Sequence, residues 1–178
     1  MPGPLTCETY SVWLMPESDW AREFKRIVDD LADRFETPRF VPHLTLIGGQ
    51  PFDRVDLGRR VKSLVAGSRS IWRPIVDVAL GDAYFRSFYA LFGAEGALLS
   101  LKQRTDRAVL GVEQAGFIPH VSLLYGTVEA GRKAAAGVEI RAKLTGQTVR
   151  FDRIEIVYSG DDVPVEHWET VEAFRLDG

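Results

Sequence analysis

His43 and His120 stand at the centres of two stretches of this 178-residue chain that copy one another. The first reads FVPHLTLIGG over residues 40–49 and the second FIPHVSLLYG over residues 117–126, identical or conservatively replaced at nine of ten positions. Two places after each histidine comes a hydroxyl residue, Thr45 in the first and Ser122 in the second. Side chains alternate along a strand, so His43 and Thr45 share one face while Leu44 and Leu46 take the other, and His120 and Ser122 do the same against Val121 and Leu123. Two imidazoles and two hydroxyls suffice for phosphoryl transfer without a metal. A neutral imidazole takes a proton from attacking water, a protonated one gives a proton to the departing oxygen, and the ordinary histidine pKa near 6.5 makes both forms accessible near neutrality. The hydroxyls donate to the non-bridging oxygens as charge gathers there.

A single H-x-T on a strand is most often structural; it is the matched frame that makes the pair a catalytic candidate. The chemical rival is zinc, which imidazole also suits. A zinc site needs further ligands, and besides its carboxylates the sequence offers one cysteine, Cys7, and His167, with no short paired ligand motif, so neither metal nor cofactor is expected. His167 reads as an exposed residue beside a closing turn. Pro42 and Pro119 suit strand starts, and Gly49 and Gly126 punctuate the far ends.

The chain resembles the two-histidine phosphoesterases, defined by two H-x-[ST] motifs, and among them the cyclic phosphodiesterases typified by plant enzymes. YSVWLMP at 10–16, PRFVPHLT at 38–45, the aromatic strand from Tyr84, HVSLLYG at 120–126 and WETV at 168–171 occur in corresponding order over nearly the whole chain. The resemblance implies an α+β fold, bilobal and pseudo-twofold, with antiparallel sheets, outer helices and the histidines in a central groove. It implies hydrolysis of ribose cyclic phosphates: nucleoside 2′,3′-cyclic phosphates to 2′-phosphates, and ADP-ribose 1″,2″-cyclic phosphate. It also implies His43, Thr45, His120 and Ser122 as catalytic residues, with His120 as base and His43 as acid, although the internal symmetry leaves those two roles interchangeable on sequence alone. Trp13, Phe85 and Tyr125 match positions near the ligand, where an aromatic face stacks on a base or packs on a ribose. Strict alternation puts Tyr125 opposite His120, so its reaching the groove requires a bulge or a strand end. Arg86 is a candidate for neutralising phosphate, or else a surface partner for an aromatic ring. Gly48-Gly49 stands where bulkier residues are common in the family, and the single Cys7 excludes the internal disulfide of some plant relatives.

Composition sets the remaining bounds. With 178 residues, 46% of them apolar, the chain builds one good core, and a single two-lobed domain over 1–178 is expected. A net charge of −3 argues against a broad surface for long nucleic acid and favours a small substrate, with short RNA ends or 2′–5′ linked oligonucleotides as the enzymatic alternative and nucleotide binding without catalysis as the other. No apolar run spans a membrane and MPGPLTCETY lacks a signal-peptide pattern, so a cytoplasmic monomer is expected. To place the motifs, the patterning predicts a strand over 6–14, with Tyr10, Val12 and Leu14 on one face and Ser11 and Trp13 on the other, and a helix capped by Ser18 and running to Phe35. Helices over 56–66 and 97–115, a loop or short helix over 129–143, and strands near 75–80, 84–92, 146–151, 153–159 and 168–176 complete the pattern.

Overall fold

The structure, a computed structural model, describes residues 8–178; Cys7 and the first residues of the strand expected from position 6 lie outside that range. The elements run β1 (Glu8–Pro16), α1 (Ser18–Phe35), β2 (Leu44–Phe52), α2 (Arg54–Val65), β3 (Ile71–Ala83), β4 (Arg86–Phe92), α3 (Gly96–Leu110), β5 (His120–Leu124), α4 (Ala130–Leu144), β6 (Thr148–Tyr158) and β7 (Glu169–Arg175). The seven strands form one antiparallel sheet in the order β1-β2-β5-β4-β3-β6-β7, and a further pairing of β1 with β6 closes it on itself. This α+β arrangement is twofold in its connections. β1 pairs with β2 as β4 pairs with β5, and β1 pairs with β6 as β4 pairs with β3, while β2–β5 and β3–β6 pair across the symmetry axis. Two lobes, β2-β1-β6-β7 and β5-β4-β3, are thus joined by β6, whose first residues pair with β3 and whose remainder pairs with β1 and β7.

That double duty explains why β6 is one strand where a break near Asp152 was expected: Phe151 pairs with both Ile71 and Pro16, so the ladder never lapses. Alternation places Tyr10, Val12 and Leu14 in the main core and turns Ser11 and Trp13 to the groove, as predicted. On α1 the stripe Phe24, Ile27, Val28, Leu31 and Phe35 is buried. Ser18 does not cap it; Glu17 takes that place, held by its backbone N–H donating to the Arg150 carbonyl at 2.9 Å rather than by a side-chain cap. α2 starts at Arg54, two residues earlier than expected, because the Asp53 carboxylate accepts from the Asp56 N–H at 2.8 Å. α3 stops at Leu110 because Gly111 turns left-handed at φ 76°. Residues 130–144 form a complete helix, α4, whose start is set by the Glu129 carboxylate accepting from the Gly131 and Arg132 N–H groups. A glycine on its inner face, Gly137, lets it approach Phe88 and Leu80 of the sheet. Among the described residues no helix is long and apolar enough to cross a membrane.

Candidate active site

β2 and β5 meet at a single register pair, Leu44 with Val121, which occupy the same position in the two repeated frames. The pseudo-twofold axis therefore passes through that pair. Running antiparallel from it, the chain points His43 toward Ser122 and Thr45 toward His120, so the four polar groups surround one point on the groove face. Each histidine is oriented in the same way. Nδ1 of His43 lies 2.7 Å from the Val41 carbonyl and Nδ1 of His120 lies 2.7 Å from the Ile118 carbonyl. A carbonyl only accepts, so Nδ1 carries the hydrogen in both rings and Nε2 is the atom available for proton exchange.

Around this centre lies a groove of about 360 Å³, lined by all four motif residues together with Trp13, Phe85, Tyr125 and Arg86. The sequence-predicted site residues are thus brought together without exception. Tyr125 gets there through a bulge. One step on β4, from Phe88 to Tyr89, spans two on β5, from Leu124 to Ser122, so Leu123 and Leu124 both enter the core and Tyr125 returns to the histidine face. The first half bulges at the same frame position, since Val12–Trp13 on β1 spans Ile47–Thr45 on β2. Gly48 accordingly occupies in the first half the place of Tyr125 in the second. The one frame position at which the repeats disagree is one that faces the groove.

The two half-sites also differ in what touches the imidazoles. His43 lies flat on Trp13, ring centroids 3.4 Å apart and planes 5° from parallel, whereas His120 meets Tyr89 in a tilted contact at 5.3 Å and 65°. Burial pulls the His43 pKa down to about 3, the Val41 carbonyl pushing weakly the other way and His120 adding to the depression. His120 is also lowered, first by burial and in smaller part by the positive charge of Arg86. Arg86 lines the groove, and its guanidinium sits over the Tyr89 ring at 5.7 Å. The Ser122 hydroxyl donates to the Phe85 carbonyl at 2.8 Å, tying the motif to the β3–β4 turn. Tyr125 stacks on Phe40 at 3.6 Å, and burial raises its hydroxyl pKa, keeping it neutral.

Sequence reasoning did not assign Trp168. This ring, from the loop before β7, lies 5.7 Å from Trp13, 5.9 Å from Phe85 and 5.9 Å from Tyr125, spanning both lobes, and its indole N–H donates to the Val163 carbonyl at 2.9 Å. WETV was visible in the resemblance, but nothing in local periodicity turns its tryptophan inward. Ser11, Ser159, Gly160 and Asp161 line the opposite rim, with the Ser159 hydroxyl donating to that of Ser11 at 2.8 Å. The signal for them is the symmetry itself, since the segment after β6 corresponds to the turn after β3. His167 is exposed, as expected. Among the described residues no three His, Cys, Asp or Glu side chains converge as metal ligands.

Comparison with known proteins bears on the fold and the family. A curated cyclic phosphodiesterase of Arabidopsis thaliana is 24% identical over 174 residues, covering 96% of each chain. Among solved structures, TT0787 of Thermus thermophilus superposes with a TM-score of 0.66 at 16% identity, over 96% of this chain and 98% of that one. E. coli LigT complexed with 3′-AMP superposes with a TM-score of 0.57 at 13% identity, over 97% and 99%. These two share the fold. The family model described as cyclic phosphodiesterase-like protein matches residues 9–176, end to end through both half-sites, and the chain belongs to that family, as a hydrolase of phosphodiesters.

Proposed function

We propose that the protein hydrolyses ribose cyclic phosphates without a metal, opening nucleoside 2′,3′-cyclic phosphates to 2′-phosphates and, by resemblance, accepting ADP-ribose 1″,2″-cyclic phosphate. The observation that carries this reading is the pair of imidazoles related by the pseudo-twofold, each with Nδ1–H fixed on a backbone carbonyl two residues upstream. With the phosphate over the Leu44–Val121 pair, Nε2 of one ring takes a proton from water as its oxygen bonds to phosphorus. Nε2 of the other gives a proton to the ester oxygen as its bond to phosphorus breaks. The Thr45 hydroxyl is directed at the groove, and that of Ser122 reaches a phosphate oxygen by rotating away from the Phe85 carbonyl.

His120 serves as base and His43 as acid. Burial, and for His120 also the Arg86 charge, works against a cation on either ring before substrate binds, so the assignment of His120 as base rests on the resemblance. The face of Trp13 beneath His43 favours a cation there through its ring quadrupole, and the anionic phosphate supplies the counter-charge that burial otherwise denies it. Phe85 and the exposed Tyr84 beside it offer aromatic surface to a base at the rim.

Replacing either histidine by Ala lowers turnover of 2′,3′-cyclic AMP by roughly 10²–10⁴-fold, and Thr45→Val by about 10–10³-fold, with the fold intact by circular dichroism. Exhaustive chelation leaves the rate unchanged, and phosphorus NMR finds the 2′-phosphate. Full activity in His120→Ala overturns the mechanism; predominant 3′-phosphate reverses the orientation of the substrate.

A further inference from the structure

We infer that Trp13 is a positioning residue for His43 and not a stacking surface for substrate: its ring is the bed that fixes the plane of the acid imidazole. This rests on the reading of His43 as a proton carrier. One face of the indole is taken by His43, at 3.4 Å and 5° from parallel. Met15 and Val157 pack on the ring as a small buried cluster, with Trp168 against its edge. Only 3% of Trp13 is exposed, which leaves no face for a nucleobase to cover. By contrast Tyr84, 44% exposed at the turn of the β3–β4 hairpin, has surface to offer.

The contact restricts what its neighbour's other constraint leaves free. The Nδ1–H to Val41 bond fixes one point of the His43 ring but permits tilt about that point. A parallel ring at van der Waals distance removes the tilt, so Nε2 is held in one direction. The register makes this possible: Trp13 pairs with Thr45 across the β1–β2 ladder, so the indole and the His43–Thr45 face belong to adjacent strands on one side of the sheet. At the symmetry-related place Tyr89 pairs with Ser122, and its ring does not lie flat on His120. The acid alone is clamped.

A residue that orients the acid acts on the chemical step, whereas one that stacks on substrate acts on binding. The test compares Trp13→Phe and Trp13→Leu with wild type on 2′,3′-cyclic AMP, with His43→Ala as control and with the ring protons of His43 followed by NMR through a pH titration. The expected result is a kcat loss of about 10–10²-fold in Trp13→Leu with KM changed less than about threefold, and recovery to within about fivefold of wild type in Trp13→Phe, which keeps a flat ring. The upfield shift of the His43 ring protons, caused by the indole beneath, disappears in Trp13→Leu and persists in part in Trp13→Phe. A rise in KM at unchanged kcat, or His43 resonances unaffected in Trp13→Leu, overturns the inference. If His43→Ala itself turns over at the wild-type rate, what fails is the catalytic reading of His43 and not the stacking geometry, which the NMR arm judges separately.

Discussion

His43 carries a cost in the folded protein that can be measured apart from activity. Its pKa in the fold is about 3 against 6.5 in an open chain, so between these values the unfolded chain binds a proton that the folded one refuses. Folding stability from this group is therefore complete above about pH 6.5 and declines as pH falls toward 3. At pH 5 the loss is about 2 kcal/mol from this ring, on the order of 1.4 kcal/mol per pH unit below 6.5. Urea denaturation at pH 7 and pH 5 checks it: wild type loses midpoint over that range, and His43→Gln, which does not titrate, loses less by the contribution of the ring. Equal losses in the two proteins would mean that water reaches His43 more freely than its 7% exposure allows. On the proposed mechanism the same burial makes His43 dependent on substrate, since the incoming phosphate would give the imidazolium its partner.

Strands and turns, one level up, decide which of these residues face one another. The H-x-[ST] frames and the alternation of β1 were legible in the sequence because each is written within a few consecutive residues. Tyr125 was legible only as a conflict, since strict alternation from His120 puts it on the wrong face; the bulge at Leu123 resolves it, and a bulge leaves no mark in residue types. Trp168 was out of reach for a different reason, because its inward direction comes from the loop over 160–167 folding back across two lobes. The α4 helix was underread because the first half of its inner face is Lys133, Ala136 and Gly137, the Lys133 ammonium donating to the Gly81 carbonyl at 2.6 Å, and large apolar residues enter only at Ile140 and Leu144. Gly126 shows how tightly such an element is held. Its φ of 111° disfavours any side chain, an added Cβ would lie 3.2 Å from the Thr37 methyl, and its N–H donates to the Tyr84 carbonyl at 2.9 Å. Gly126→Ala is expected to lower stability by about 1–3 kcal/mol, read from the urea midpoint, and to reduce turnover because Tyr125 and the β3–β4 turn shift together. An unchanged midpoint would show that the end of β5 relaxes without cost.

For the whole molecule, the closed circuit β1-β2-β5-β4-β3-β6 is mapped onto itself by the pseudo-twofold, and the two contacts that cross the axis, β2–β5 and β3–β6, each join a strand to its own counterpart. Two identical half-chains would meet through these two contacts and also through β1–β6 and β3–β4, which likewise join the first half of the chain to the second. Residues 8–83 and residues 84–178, expressed as separate polypeptides, are expected to be insoluble or unfolded alone, since each leaves strand edges bare, and to assemble when produced together. Size-exclusion chromatography with circular dichroism reads the outcome; two independently folded halves would contradict the shared sheet. Exact twofold symmetry of this kind would pose a chemical problem. A homodimer presents two equivalent histidines, yet ester cleavage needs one donor and one acceptor, and a nucleotide has no twofold of its own. A single chain lets the two copies differ, and they differ at the groove: Trp13 flat on His43 against Tyr89 tilted to His120, and Gly48 against Tyr125 on the wall. The single mismatch in the repeated frame is thus one of the places where a twofold scaffold presents an asymmetric wall to whatever enters the groove.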